Sequence, residues 1–123
     1  MDSNVVVVVD DDEGVRQAFQ RVLEAAGFAP RVFASAESLL DSGDAPGAAC
    51  LILDVQLPGI SGFELCRQLR AGAGPAPPVV FITAHDSPSA RDHARTLGAG
   101  YLSKPVTGRA LLGAVTQLIG SGR

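Results

Sequence analysis

Three short runs in this chain are apolar at every position rather than at alternate ones: Val5–Val9 (VVVVV), residues 50–53 (CLIL) and residues 79–82 (VVFI). Successive side chains of a strand point to opposite faces, so a strand with one wet face alternates apolar and polar residues. An unbroken apolar run leaves no face for water. Strands of that kind belong to parallel sheets covered by helices on both sides. None of the runs approaches the length needed to span a bilayer.

Helical periodicity fills the gaps between the runs. Val15, Ala18, Phe19, Val22, Leu23 and Ala26 recur at helical spacing, and Gly27 supplies a stop. Residues 30–33 read as a short strand, and Ser35 caps a short helix bearing Leu39 and Leu40. Residues 43–49 read as a loop. The strand at 50–53 ends on Asp54 and is followed by the turn LPGISG. Ser61 with Glu64 makes a capping box for a helix bearing Phe63, Cys66 and Leu69. Residues 72–78 read as a loop, and the strand at 79–82 ends on Thr83. Ser87 and Pro88 start a helix with Ala90, Ala94 and Leu97, closed by Gly98. Tyr101 and Leu102 form a last short strand, and Thr107 caps a final helix running to about Ile119. Five strands and five helices in strict alternation predict a three-layer α/β/α fold with right-handed crossovers. The flavodoxin-like strand order 2-1-3-4-5 is the simplest five-stranded solution.

The chain has 123 residues, 46% hydrophobic and 19% charged, a globular balance that argues against disorder and fits a single domain over 1–123. Its net charge of -3 gives no general attraction to nucleic acid. The N-terminal segment lacks the basic stretch of a secretory signal. Cys50 and Cys66 alone cannot build a disulfide framework or a zinc site. These features predict a cytoplasmic chain with no membrane contact.

Sites in open α/β sheets lie beyond the carboxyl ends of the strands. The first strand here ends in Asp10, Asp11 and Asp12, the third in Asp54, the fourth in Thr83, and the fifth runs into Lys104. With strands one and three adjacent, Asp10, Asp11 and Asp54 converge on one pocket, with Thr83 and Lys104 on its far side. Three clustered carboxylates repel one another, and a hard divalent cation such as Mg2+ relieves that repulsion. A cation, a lysine, a hydroxyl and one carboxylate together suit phosphoryl transfer, with Asp54 as the nucleophile and an aspartyl-phosphate as product. Each residue alone has a plainer explanation: Asp11 or Asp12 as a helix cap, Thr83 as a turn residue, Lys104 as a solvated charge. Their joint placement at consecutive strand ends favours the site. His85 and His93 have no partner at metal-ligand spacing.

The segments VVDDDEGVR (8–16), LILDVQLPGISGFEL (51–65), VVFITAH (79–85) and GAGYLSKP (98–105) resemble the receiver domain of two-component response regulators, the CheY-like superfamily, over nearly the whole chain. The wording of LPGISG and FITAH is similar to regulators with a helix-turn-helix output domain. The resemblance implies that Asp54 accepts phosphate from a sensor histidine kinase or histidine phosphotransfer protein. It implies that Asp11 binds Mg2+ directly, Asp10 largely through water, and that Asp54 and the Gln56 carbonyl complete the ligands. Thr83 and Lys104 would contact the phosphoryl group. Tyr101 would be the aromatic switch, Ala84 a small residue that permits its motion, and the Lys104–Pro105 bond would be cis. Gln56 and His85 would tune the lifetime of the phosphate. Such a domain is a signalling module that catalyses only its own phosphorylation and dephosphorylation, so it is not expected to be an enzyme acting on an external substrate.

Two other classes compete. A Mg2+-dependent phosphohydrolase of the haloacid dehalogenase type uses similar residues, but its nucleophile comes near the start in an Asp-x-Asp pattern and its acidic pair comes last. A flavin module would want a phosphate loop and stacking aromatics, whereas Tyr101 is the only tyrosine and tryptophan is absent. The chain reads either as a stand-alone receiver or as a receiver from a longer regulator or hybrid kinase. The last helix carries two apolar stripes: Leu111, Val115 and Leu118 on one, Leu112 and Ile119 on the other. One packs on the sheet; the second either covers a neighbouring helix or marks a homodimer or partner contact on the face of helix 4, strand 5 and helix 5.

Overall fold

The protein is described as a computed structural model covering residues 3–72 and 74–121. Ala73, in the predicted 72–78 loop, lies outside the described residues. The elements follow the order β1 (Val5–Val9), α1 (Glu13–Ala25), β2 (Ala29–Phe33), α2 (Ala36–Ser42), a 3-10 turn (Ala45–Gly47), β3 (Cys50–Asp54), α3 (Gly62–Ala71), β4 (Val79–Thr83), α4 (Pro88–Thr96), β5 (Gly100–Ser103) and α5 (Gly108–Ser121). The strands form one parallel sheet in the order β2-β1-β3-β4-β5.

The unbroken apolar runs divide their side chains between two cores. Val7, Val9, Leu51, Leu53 and Phe81 face α2, α3 and α4, where they meet Leu39, Phe63, Leu65 and Ala94. Val6, Val8, Ile52, Val80 and Ile82 face α1 and α5, where they meet Phe19, Leu23, Leu111 and Val115. Burying each such Val, Leu, Ile or Phe contributes roughly 1.5–3 kcal/mol. Both faces of the three central strands are covered, which is why β1, β3 and β4 read as continuous hydrophobic runs, while the edge strands β2 and β5 are only half-buried.

Capping fixes where the helices begin. The side chains of Asp12, Ser35, Ser61 and Ser87 accept from the backbone N–H groups of Val15, Ser38, Glu64 and Ala90. Thr107 Oγ1 accepts from the Ala110 N–H at 3.1 Å. Of the expected capping box, Ser61 makes its half, while the Glu64 carboxylate turns to Arg67 instead, 3.4 Å away. The 43–49 segment, predicted as a loop, contains a 3-10 turn at Ala45–Gly47, with Pro46 in its first positions. Helix α5 runs to Ser121, two residues beyond the expected end. Of the two readings of its second stripe, the structure favours cover within the fold: Leu112 and Ile119 are half-buried against the α1/α5 core.

Candidate functional site

The carboxyl ends of β1, β3 and β4 deliver Asp10, Asp54 and Thr83, all buried. Asp10 follows β1 directly, and its N–H still bonds the Phe33 carbonyl of β2. Its Oδ1 accepts from the Asp12 N–H at 2.9 Å, while Arg16 Nη1 donates to its carbonyl oxygen at 2.9 Å. The loop carrying Asp10 and Asp11 is thereby pinned from α1. Sequence reasoning passed over Arg16; a basic residue one turn into the helix behind the acidic cluster was the available signal.

Asp10, Asp11 and Asp54 each present a carboxylate oxygen within 4.8 Å of the others. Asp11 is exposed, and the other two are buried. One cation answers them. Lys104 Nζ lies 3.1 Å from Asp54 Oδ2 and 2.8 Å from Asp10 Oδ2. The contact with Asp10 is close but poorly directed, so Asp10 Oδ2 stays a buried oxygen without a proper hydrogen bond. Asp54 Oδ1 accepts from the Gln56 N–H at 3.0 Å.

Burial pushes the Asp54 pKa up, and the negative charge of Asp10 adds to that. The hydrogen bond and charge of Lys104 pull the other way without cancelling the rise. Burial alone would lower the Lys104 pKa, but the carboxylates of Asp10 and Asp54 beside it outweigh burial and raise it. The ammonium therefore stays charged among carboxylates that it only partly neutralises. Three hard oxygen donors with an under-satisfied buried oxygen fit a divalent cation such as Mg2+.

Lys104 is held by its backbone as well: its N–H donates to the Thr83 carbonyl at 2.7 Å. The Lys104–Pro105 peptide bond is cis. Thr83 Oγ1 donates to Gln56 Oε1 at 2.9 Å and accepts from the His85 N–H at 3.0 Å. Ala84 and His85 are exposed on the following loop. Tyr101 is half-buried on β5, in register with Phe81 and so two residues short of the level of Thr83. Its hydroxyl bonds Asp86, a residue that sequence reasoning did not single out. A cleft of about 500 Å³ lies beside Lys104, walled by Asp12 at the start of α1, by Val15, Ala18 and Phe19 of α1 and by Pro105 and Val106.

His93 stacks on Phe63 with ring centroids 4.0 Å apart and shares a hydrogen bond with Arg67. It lies in the α3–α4 packing, away from the carboxylates. Both cysteines are buried, and burial pushes the Cys50 thiol up to about 12.

Comparison with known proteins places this geometry in a wider set. The family described as "Response regulator receiver domain" matches residues 6–116. The transcriptional regulatory protein FixJ of Azorhizobium caulinodans is 38% identical over 117 residues, covering 94% of this chain and 54% of that protein. The transcriptional regulatory protein CreB of Escherichia coli is 38% identical over 120 residues, covering 97% of this chain and 52% of that protein. The chain thus spans about half the length of the curated relatives it matches. Among solved structures, a response regulator receiver protein from Burkholderia phymatum superposes with a TM-score of 0.80 at 42% identity, covering 94% of each chain. The BeF3-activated DrrB receiver domain superposes with a TM-score of 0.85 at 27% identity, covering 98% of this chain and 99% of that one. With its sheet order, its carboxylate cluster and 111 consecutive residues matched (6–116), the chain belongs to the response regulator receiver domain family of two-component systems.

Proposed function

We propose that this domain takes a phosphoryl group from a sensor histidine kinase or histidine phosphotransfer protein onto Asp54. One observation carries the reading: Lys104 reaches both Asp10 and Asp54 in a pocket where three carboxylates converge. An Asp54 oxygen attacks phosphorus, the new O–P bond forms, and the P–N bond of the donor phosphohistidine breaks, its electron pair leaving with the imidazole. Asp10, Asp11, Asp54 and the Gln56 carbonyl would hold Mg2+, which supplies positive charge to the phosphoryl oxygens. Lys104 adds its ammonium, and Thr83 donates its hydroxyl proton to the phosphoryl group. The apolar cleft beside Lys104 offers the phosphate donor a surface to seat against.

The signal then leaves through α4, β5 and α5. Thr83 shifts toward the phosphoryl group, Ala84 leaves room for that motion, and Tyr101 moves with it. The face they alter contacts a second copy or a separate output partner. In this reading the domain is not an enzyme with an external substrate, binds no nucleic acid itself, and works in the cytoplasm as one unit over 1–123. No helix among the described residues is long and apolar enough to cross a membrane. Nothing observed favours the phosphohydrolase alternative, whose order of nucleophile and acidic pair is the reverse of this chain's.

Incubation with acetyl phosphate and Mg2+ tests the reading. Mass spectrometry should show a single added phosphate, labile to hydroxylamine, in the parent and none in Asp54→Asn. Stoichiometric labelling that survives Asp54→Asn would move the acceptor elsewhere.

A further inference from the structure

Thr83 has one hydroxyl proton, and here it is already committed. Oγ1 donates it to Gln56 Oε1 at 2.9 Å and accepts from the His85 N–H at 3.0 Å. Thr83 is fully buried, so its hydroxyl is shielded from bulk water. Gln56 is exposed, and its own N–H holds Asp54 Oδ1 at 3.0 Å. One residue therefore touches both the phosphate acceptor and the hydroxyl meant to sense the phosphate. A hydroxyl offers a single donor. Gln56 Oε1 and a phosphoryl oxygen on Asp54 must compete for it.

We propose that Gln56 is a positioning residue whose amide oxygen latches Thr83 in the unphosphorylated domain, and that the latch must open before Thr83 can bond the phosphoryl group. This rests on the roles given above to Asp54 and Thr83. Gln56 acts through Thr83 on the readiness of the switch. Opening is asymmetric: the freed Gln56 oxygen returns to water, and the Thr83 proton passes to a charged acceptor. A neutral hydrogen bond of this kind shifts an equilibrium by about 2- to 10-fold.

Four proteins test the latch: the parent, Gln56→Met, Thr83→Val and the double variant. Methionine keeps the length of glutamine without the amide, and valine keeps the shape of threonine without the hydroxyl. Beryllofluoride with Mg2+ serves as the phosphoryl mimic, and fluorine NMR reads its binding. Gln56→Met should bind the mimic about 2- to 10-fold more tightly than the parent. The same substitution should change nothing in the Thr83→Val background. Weaker binding by Gln56→Met would overturn the latch and make Gln56 a phosphoryl ligand. Equal effects in both backgrounds would overturn it by removing Thr83 from the argument. Urea unfolding of the same four proteins without ligand should be non-additive, because both bond partners are present in the free domain. Additive stabilities would overturn the latch on their own. A parent that binds no mimic would overturn the reading of Asp54 and the latch with it, whereas mimic binding without coupling overturns the latch alone.

Discussion

The Tyr101 hydroxyl donates to Asp86 Oδ1 at 3.0 Å, tying β5 to the loop that leads from β4 into α4. Arg91 grips the same carboxylate with two bonds, at 2.8 and 2.6 Å, and its guanidinium carbon sits 5.0 Å from the centroid of the Tyr101 ring. Arg91 holds the Asp86 pKa below its ordinary value. Burial, and then the bond to Asp86, hold the Tyr101 pKa above its own. The aromatic residue of the proposed switch is thus anchored to α4 in this conformation. Its release would free one end of that helix.

Tyr101 is the only tyrosine and the chain has no tryptophan, so near-ultraviolet titration reads this one site. The Asp86 carboxylate accepts from the neutral phenol and repels the phenolate. Removing its charge favours ionisation. In Asp86→Asn the alkaline absorbance midpoint should move to lower pH, with little change in thermal stability because the carboxylate is exposed. An unmoved midpoint would show that Asp86 does not hold Tyr101 in solution.

The carboxylate cluster predicts a metal-dependent stability. A ligand that binds only the folded state at ten times its dissociation constant adds about 1.4 kcal/mol. Mg2+ at that level should raise the melting temperature of the parent. Asp11 is exposed, so Asp11→Asn should leave the metal-free midpoint nearly unchanged while abolishing most of the Mg2+ increment. A melt of the parent that ignores Mg2+ would remove the basis for the metal site.

How much of this was legible follows from the range of each signal. The runs around Val7, Ile52 and Phe81 announced doubly buried strands, because solvent exclusion acts on every residue of such a strand. The strand ends were legible too, since topology alone brings Asp10, Asp54 and Thr83 to one edge of the sheet. What escaped was the set of hydrogen bonds that individual side chains make. The bond from Arg16 to the Asp10 carbonyl, from Thr83 to Gln56, and from Tyr101 to Asp86 each depend on rotamers that only packing selects. The second stripe of α5 was left between two readings for a related reason. Periodicity locates Leu112 and Ile119 on a helix face but does not say how far that face tucks against α1.

Gly62 has a steric role that periodicity also concealed. A Cβ built there would lie 2.1 Å from the Asp54 carbonyl oxygen, a backbone atom that cannot swing aside. The Gly62 N–H bonds the Val55 carbonyl at 3.0 Å, which draws the start of α3 against the end of β3. Gly62→Ala must therefore push the helix off the strand that carries Asp54. Overpacking of this kind costs about 3 kcal/mol. Urea unfolding should show that loss, and Mg2+ should stabilise the variant less than the parent. Parent-like stability in both measurements would mean that α3 yields at no cost.

Cys50 gives the fold an alkaline sensitivity whose sign is fixed by burial. The folded chain holds the thiol protonated up to about 12, against an ordinary value of 9.0. Between those values the unfolded chain has lost a proton that the folded chain keeps. Stability depends on the protons bound in the unfolded state minus those in the folded state, so it falls as pH rises through this window. The slope approaches about 1.4 kcal/mol per pH unit once the unfolded thiol is fully ionised. Other groups titrate there too, but they cancel in a comparison with Cys50→Ala. The variant should lose the small packing contribution of the sulfur at neutral pH and then gain on the parent as pH rises above 9.0. Urea unfolding of both proteins across that range checks this. Parallel slopes would mean that the thiol is ionised inside the fold or reached by solvent, contrary to its place beneath α1 and α5 beside Val6.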